Sequence, residues 1–245
     1  MNAATVWICA FVGVLLLSSC GLETTISLCP LDDANIQQDG PRLSFTHRLC
    51  ADDTPSLVQV EAFRGYDIYY RIYGDTSADD TQQEQRDDDI DAILDPEREA
   101  ALSLDSRDYR RIEARRADDR DQRTGRPTID LSASDAARQG PVGVVIDFSG
   151  VLADEEPFVE WGESENGNGD RRILRRNIDV DNNRFTSDED DYSANDADVD
   201  NQVAEDETVF EIVLFAVSFG RDAGRPISSF EARLLTDDEG LELVF

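Results

Sequence analysis

Two stretches of the sequence space their acidic side chains as calcium-binding loops do. In the segment DADVDNQVAEDE, positions one, three, five and twelve are Asp196, Asp198, Asp200 and Glu207. Oxygen ligands at these offsets can surround one hard cation, and Asn201 at position six tolerates the left-handed turn that such a loop needs. A calcium site in this segment is therefore one interpretation of the sequence.

The segment DVDNNRFTSDED offers a partial second copy and is similar to dockerin-type loops. Its candidate ligands are Asp179, Asp181, Asn183 and Asp190, but Arg184 takes the sixth position, where glycine is usual. Asp, Asn and Glu are so frequent in this region that the same offsets also arise by chance. The alternative, which we favour, is a solvated acidic loop whose carboxylates serve salt adaptation.

Other candidates for catalysis are few. His47 is the only histidine, and a Ser–His–Asp or Cys–His mechanism would have to use it. It falls in a strand-like stretch close to Cys50, so we interpret it as a structural or surface histidine. Paired-carboxylate hydrolysis of carbohydrates stays a distant alternative, because no pair stands out among the 54 acidic residues. We expect no catalytic residue.

The N-terminal residues predict an address for the protein. The apolar run Val6–Leu17 is too short to span a bilayer and fits the hydrophobic part of a secretory signal. The stretch LSSC that ends at Cys20 resembles a bacterial lipobox, which implies that residues 1–19 are a signal peptide and that Cys20 is lipidated. The alternative is an ordinary secretory signal in which Cys20 has no role. Either reading places the chain outside the cytoplasm, and the lipobox implies the cell envelope, facing the periplasm or the outside.

The other cysteines agree with that location. Cys9 would leave with the signal, so Cys29 and Cys50 remain as a single pair. In an oxidising compartment this pair would close a loop of about 22 residues, which contributes about 3 kcal/mol in the chain-entropy model. Two free thiols are the alternative. Residues 20–41 form a lipid-anchored stalk in this interpretation, tied down by Cys29.

The net charge of −31 bears on the partners and on the medium. A surface this negative repels DNA, RNA and anionic headgroups, so we expect no nucleic-acid partner. Self-repulsion also strains the fold at low ionic strength, whereas the Debye length falls to about 3 Å at molar salt. We therefore expect a high-salt medium. The densest basic cluster, RRILRR at residues 171–176, should pair with the protein's own Asp-rich insertions.

The hydrophobic pattern predicts mainly β structure. The clearest strand is GYDIYYRIY, in which Tyr66, Ile68, Tyr70 and Ile72 face one way. The run GPVGVVIDFSG predicts a strand that is buried on both faces. Further strands are predicted in RLSFTHRL, PTIDLSA, EPFVEWGE, TVFEIVLFAVSFG, PISSFEARLL and LELVF.

Two acidic insertions, at about residues 75–122 and 166–207, interrupt these strands and are expected to be partly helical or disordered. In the first, Ile90, Ile93 and Leu94 share one helical face, and EREAALSL predicts a second short helix. Short strands bounded by turn residues favour a single antiparallel β-sandwich over residues 42–245.

The strand GYDIYYRIY resembles a fibronectin type III strand that commonly reads Gly-Tyr-x-Ile/Val-x-Tyr. The alternation from Phe210 to Gly220, followed by Gly224 and PISS, is similar to the late strand of that family and the turn that leaves it. Phe210 stands where the family usually has the tyrosine of its corner motif, and the long insertions are foreign to a standard module. The resemblance implies a fibronectin III or immunoglobulin-like sandwich.

The lipobox, the short stalk, GYDIYYRIY and the late apolar strand together resemble uncharacterised envelope lipoproteins of the spirochaetal type. That resemblance implies an address and a fold. We expect a lipid-anchored envelope protein with a non-catalytic binding or structural role, whose partners are the membrane, through the lipid, and an envelope protein or glycan. No cofactor is expected apart from the calcium considered above. The alternative is a calcium-dependent adhesion or assembly module.

Overall fold

A computed structural model of the chain describes thirteen ranges of residues. These are 26–32, 34, 36–50, 54–75, 80–95, 98–116, 127–153, 155–162, 170–178, 183–185, 192–204, 208–237 and 240–244. The described part is mainly β, with two antiparallel sheets that pack as a sandwich, as the sequence predicts. No helix within these ranges is long and apolar enough to cross a membrane. Cys20, Asp179, Asp181, Asp190 and Glu207 lie outside the described residues.

The strands of the described ranges are numbered in chain order. They are β1 (Gln37–Asp39), β2 (Arg42–His47), β3 (Phe63–Tyr73), β4 (Arg110–Arg111), β5 (Glu113–Arg116), β6 (Ile129–Asp130), β7 (Val142–Asp147), β8 (Phe158–Trp161), β9 (Asp170–Arg175), β10 (Val209–Asp222), β11 (Arg225–Ser228), β12 (Arg233–Leu234) and β13 (Leu241–Val244). The first sheet has the order β1-β2-β7-β8-β9-β5. The second has the order β11-β10-β3-β4, with β6 beside β3 and with β12 and β13 beside β10.

The two long strands β3 and β10 form the centre of the second sheet. They pair antiparallel from Tyr73 opposite Glu211 to Phe63 opposite Gly220. Alternate residues of β3 point into the core between the sheets and are at most 1 % exposed: Tyr66, Ile68, Tyr70 and Ile72. The predicted alternation of GYDIYYRIY is therefore confirmed, and it follows from the opposite directions of successive side chains in a strand.

The helices of the described ranges are α1 (Leu57–Ala62), α2 (Asp80–Leu94), α3 (Ala100–Ser106) and α4 (Asp135–Gln139). Two of these helices, α2 and α3, cover the outer face of the second sheet. Ile90 and Ile93 of α2 and Leu104 of α3 pack with Val213 and Phe215 of β10 in a second apolar cluster. The two helices predicted in the first insertion are therefore present, although Leu94 is 42 % exposed and does not belong to the buried face.

The strand that is buried on both faces is β10, and the prediction for GPVGVVIDFSG was wrong. In β7, Val144 and Ile146 are buried, whereas Val142 and Val145 are only half-buried. Among the described residues, the main contacts of β7 are with the neighbouring strands β2 and β8 and not with a helix. The outer face of β10 is apolar because α2 and α3 lie against it.

Parts of the predicted insertions and of the predicted stalk belong to the sandwich. The strands β4 and β5 lie inside the range 75–122, and β9 lies inside 166–207. Sequence alternation missed β9 because arginine occupies positions on both of its faces and leaves only Ile173 and Leu174 as apolar residues. A long arginine side chain can cover an apolar neighbour. Arg171 does so, with its guanidinium carbon 3.6 Å from the ring centre of Phe158. Within the stalk range, β1 pairs with β2, and Leu28 and Leu31 are buried in the core.

The predicted disulfide between Cys29 and Cys50 is confirmed, with Cα atoms 5.2 Å apart. It fastens the N-terminal segment to the chain that follows β2. The hydroxyl of Ser218 in β10 donates to the carbonyl of Cys29 at 2.6 Å, and the side chain of Gln59 in α1 donates to the carbonyl of Ser27 at 3.0 Å. The segment from residue 26 is thus held against the second sheet and α1.

Candidate functional site

Residues 192–204 of the second acidic insertion lie against the edge of β3. We call them the docked segment. The Ile72 N–H donates to the carbonyl of Asp198 at 2.9 Å, and the Asp200 N–H donates to the carbonyl of Ile72 at 2.7 Å. These two bonds form a parallel bridge between Ile72 and Val199. The acidic segment that resembles a calcium loop is therefore attached to the sandwich through its backbone.

A buried ion pair holds the docked segment on the core side of β3. The Arg176 side chain, which follows β9, donates from Nε to Asp198 Oδ2 at 2.8 Å and from Nη2 to Asp198 Oδ1 at 2.7 Å. Nη2 also donates to Asp196 Oδ2 at 2.8 Å. Arg176 is 1 % exposed and Asp198 is 0 % exposed. We call Tyr70, Arg176, Asp196 and Asp198 the Arg176 cluster.

Tyr70 completes this cluster from β3. Its hydroxyl donates to Asp198 Oδ2 at 2.5 Å and accepts from the Asn177 N–H at 2.8 Å. Burial, together with the charge of Asp198 and the bond to it, raises the pKa of Tyr70 well above its ordinary value. Burial alone would lower the pKa of Arg176, but its hydrogen bonds to Asp198 and the charge of that carboxylate raise it. Both groups therefore keep their protons throughout the usual pH range.

A second buried cluster lies on the opposite side of β3, under the helices. We call Arg71, Asp89, Arg107 and Asp200 the Arg71 cluster. Arg71 in β3 donates from Nη1 to Asp89 Oδ2 at 3.1 Å and from Nη2 to Asp200 Oδ2 at 2.7 Å. Its Nη1 also donates to the carbonyl of Arg107. One guanidinium thus joins β3 to helix α2, to the residue that follows α3 and to the docked segment.

Asp89 is the centre of the Arg71 cluster and is 0 % exposed. Besides Arg71, its carboxylate accepts from Arg107 Nη1 at 2.7 Å, from the Gln85 side chain at 3.0 Å and from the Tyr73 hydroxyl at 3.0 Å. A buried carboxylate is tolerated only when donors replace its lost water in this way. Asp89 therefore holds helix α2 in place on the sheet.

The structure gives the described calcium candidates other contacts. The carboxylates of Asp196, Asp198 and Asp200 accept hydrogen bonds from Arg176 and Arg71, as described above. Asn183 uses its backbone carbonyl to accept from the Arg176 N–H at 2.8 Å. Among the described residues, no group of three or more His, Cys, Asp or Glu side chains could hold a metal ion. Calcium binding through the four candidates outside these residues stays a prediction.

His47 is a buried structural residue of the first sheet. It is 0 % exposed, and its ring is stacked on that of Phe63 with centres 5.2 Å apart. Nε2 lies 2.8 Å from the carbonyl oxygen of Arg138, which can only accept, so Nε2 carries the proton. Nδ1 then accepts from the Tyr66 hydroxyl at 2.6 Å. Burial lowers the pKa of His47 to about 4. Both ring nitrogens are thus occupied by structural bonds.

Sequence reasoning found the aspartates of the docked segment and one of the two central arginines, Arg176, but it missed Arg71. The prediction that RRILRR pairs with the Asp-rich insertions is correct for Arg176, which binds Asp196 and Asp198. The alternation of GYDIYYRIY places Arg71 on the face opposite Tyr70 but gives no partner for it. The available signal was an arginine that lies between Tyr69 and Tyr73 on one face of an apolar strand, because such a position is buried only if an acid covers it.

The fold and the site together define a structural class of protein, but they do not identify a family. The described chain is a two-sheet β protein with a helical layer on one face, in which two buried arginines bind an acidic insertion to the central strand. Comparison with family models, with curated proteins and with solved structures found no match for this chain.

Proposed function

We propose that this chain is a lipid-anchored cell-envelope protein with a non-catalytic binding or structural role, suited to high salt. The proposal of a non-catalytic role rests on one observation: the buried groups that could act as acids or bases are occupied by structural hydrogen bonds. His47, Asp89 and Asp198 each have their polar atoms in structural hydrogen bonds, and none of the three is exposed. A general acid or base needs access to a substrate proton, which these contacts deny.

The lipid anchor is supported by the LSSC stretch that ends at Cys20 behind an apolar run. The Cys29–Cys50 disulfide agrees with a compartment outside the cytoplasm, where such bonds persist. Lipidation at Cys20 would hold the sandwich close to the bilayer, since only five residues separate that cysteine from Ile26.

The high-salt part of the proposal rests on how the acids are distributed. The chain has 54 acidic and 23 basic residues, and all the basic residues are arginine. Some arginines are used in the interior, where Arg71, Arg86 and Arg176 pair with buried acids. Because these pairs are close to neutral, the net negative charge of the chain lies on the remaining residues, and the repulsion among them weakens as salt screens it.

A fibronectin III or immunoglobulin-like identity for the sandwich is part of the same proposal. The two sequence stretches that carry the resemblance form β3 and β10, which are neighbours at the centre of the second sheet. Domains of this kind commonly serve recognition and not chemistry, so an envelope protein or glycan is the partner that we propose.

Incorporation of labelled palmitate into the full-length chain in a bacterial host tests the anchor. We expect labelling of the wild-type chain and complete loss of the label in Cys20→Ala. The matched control is Cys9→Ala, which changes a cysteine of the same apolar region and should keep the label. Label that survives Cys20→Ala, or a wild-type chain that takes up none, would defeat the proposal.

A further inference from the structure

Exposed apolar side chains of the described residues are concentrated near the N-terminal segment. Five large hydrophobic residues are exposed: Leu57 (80 %), Val58 (54 %), Leu94 (42 %), Leu102 (66 %) and Phe230 (49 %). Four of them, Leu57, Val58, Leu102 and Phe230, belong to elements that contact each other or residues 26–27. We call these four residues the N-terminal patch.

Three contacts connect the patch to the start of the described chain. The Gln59 side chain donates to the carbonyl of Ser27 at 3.0 Å, so the first turn of α1, with Leu57 and Val58, lies beside that residue. Phe230 lines a cleft together with Ile26 and Ser27. The Ala100 N–H donates to the carbonyl of Phe230 at 2.7 Å, which brings the first turn of α3 and Leu102 to the same place.

The cleft that Phe230 of the patch lines has a volume of about 470 Å³. Its apolar walls come from Ile26, Tyr69, Ala101, Ile227 and Phe230. Exposed apolar side chains beside an apolar cleft, on a chain with a net charge of −31, indicate a binding surface, since exposed apolar patches commonly mark such surfaces.

The chain length between the patch and Cys20 limits what can cover it. Five residues separate Cys20 from Ile26, and a fully extended chain spans at most about 3.4 Å per residue, or about 20 Å in all. If Cys20 carries the lipid of the proposed function, on which this inference rests, the bilayer surface lies within that reach. The patch is therefore at the end of the molecule that faces the membrane.

The charges beside the patch agree with an approach to lipid. The turn between β10 and β11 adjoins the cleft through Pro226, and it carries Arg221, Asp222 and Arg225 at exposed positions. Together with Glu99, which lines the cleft, this turn makes the rim of the cleft close to neutral, in contrast to the chain as a whole. A rim of this kind meets less repulsion at headgroups than an acidic surface would.

We propose that the N-terminal patch lies on the lipid bilayer that holds the anchor, with Leu57, Val58, Leu102 and Phe230 in the interfacial region. Apolar side chains of a peripheral element are buried in the boundary between headgroups and acyl chains. The lipid surface should be zwitterionic, because the acidic remainder of the chain repels anionic headgroups. The patch thus sets the orientation of the sandwich and turns its opposite end toward envelope partners.

Quenching of tryptophan fluorescence by brominated lipids tests this orientation. The full-length lipidated chain is reconstituted in phosphatidylcholine vesicles, with bromine near the top of the acyl chains, in molar NaCl. The variants are Leu57→Trp and Phe230→Trp, and the matched control is Val145→Trp, which replaces a half-buried valine on the outer face of the first sheet. Trp161 is the native tryptophan of the lipidated chain that begins at Cys20, and it is 6 % exposed, so its quenching in the wild type is the background to be subtracted.

We expect roughly twofold or stronger quenching of the added tryptophan at positions 57 and 230, since interfacial side chains reach ~5–10 Å into the boundary. The control should behave as the wild type. Vesicle-bound protein in which positions 57 and 230 are quenched no more than position 145 would overturn the membrane assignment. If quenching is equally weak and the protein can be cross-linked as a dimer, the patch is covered by a second copy of the chain and not by lipid. Protein that does not float with the vesicles would instead overturn the lipid anchor and, with it, this inference.

Discussion

The Arg176 guanidinium and the Asp198 carboxylate form two hydrogen bonds, at 2.8 Å and 2.7 Å, and neither side chain is more than 1 % exposed. Burial of two charges is costly, and their attraction offsets that cost only when the geometry is good and other bonds satisfy the remaining atoms. Here Tyr70 and Asp196 supply those bonds. The acidic insertion is therefore held in place by the pair, and it depends on both members.

Asp198→Ala should destabilise the protein by about 3–5 kcal/mol, because it leaves the Arg176 charge buried without its main partner. The measurement is urea unfolding in molar NaCl, where urea leaves the ionic strength unchanged. The matched control is Asp196→Ala, whose carboxylate binds the same guanidinium but whose side chain is 22 % exposed. That change should cost only about 1 kcal/mol.

The double variant Arg176→Met/Asp198→Leu tests whether the loss in Asp198→Ala comes from an unpaired buried charge and not from the loss of side-chain packing. Replacement of both members by apolar residues of similar size is often neutral or stabilising, so most of the loss in Asp198→Ala should be recovered. A double variant as unstable as Asp198→Ala would contradict this account of the pair.

Asp89→Asn should destabilise the protein by about 2–4 kcal/mol, because one amide cannot accept from the two arginines, the glutamine and the tyrosine that bind this carboxylate. The neighbouring Asp88 is exposed, so Asp88→Asn is a matched control and should change stability by less than about 0.5 kcal/mol. Urea unfolding followed by circular dichroism measures both variants. Equal stability of the two would show that Asp89 does not hold α2 on the sheet.

The fold could be predicted where the sequence alternates. The alternation of GYDIYYRIY identified β3 and its core face, which carries Tyr66, Ile68, Tyr70 and Ile72. Successive side chains of a strand point to opposite faces, so burial also alternates with a period of two. The helical layer on β10 could not be predicted from β10 itself. A strand buried on both faces has no period, so its continuous apolar run does not show whether a sheet or a helix covers it.

The sequence indicated the acidic residues of the candidate site, but it did not indicate which arginine binds which acid. Aspartates at positions 196, 198 and 200 were recognised because their spacing suits a cation, and the structure does supply cations, from Arg176 and Arg71. The arginines are distant in sequence from the acids that they bind, by 22 residues for Arg176 and Asp198 and by 129 for Arg71 and Asp200. Spacing within one segment cannot reveal such pairs, which arise only when the chain folds.

His47 should titrate with a pKa of about 4 in the folded protein, because burial disfavours its charged form. It is the only histidine, so its ring signals in an NMR titration in molar NaCl need no further assignment. Tyr66→Phe removes the hydroxyl that bonds Nδ1 but leaves the ring buried, so the pKa of His47 should stay well below 6.5 in this variant. A wild-type pKa near 6.5 would contradict the buried environment.

The lowered pKa of His47 also makes stability depend on pH. Between pH 6.5 and about 4 the unfolded chain binds a proton at His47 that the folded chain does not, so the free energy of unfolding falls as the pH falls through this window. The loss reaches about 3 kcal/mol near pH 4. His47→Gln keeps a neutral polar side chain, so its unfolding free energy should lack this part of the pH dependence.

The melting temperature should rise as NaCl increases from about 0.1 M to about 2 M, because the Debye length falls from about 10 Å to a few ångström and removes the self-repulsion of the acidic surface. Differential scanning calorimetry measures the change. The control is Asp88→Asn/Asp91→Asn, in which two exposed carboxylates of α2 are neutralised at constant shape. This variant should melt higher than the wild type at low salt and gain less from added NaCl. A melting temperature independent of NaCl would contradict the high-salt proposal. If the melting temperature of the variant rose with NaCl as much as that of the wild type, surface repulsion would not be the cause of the rise.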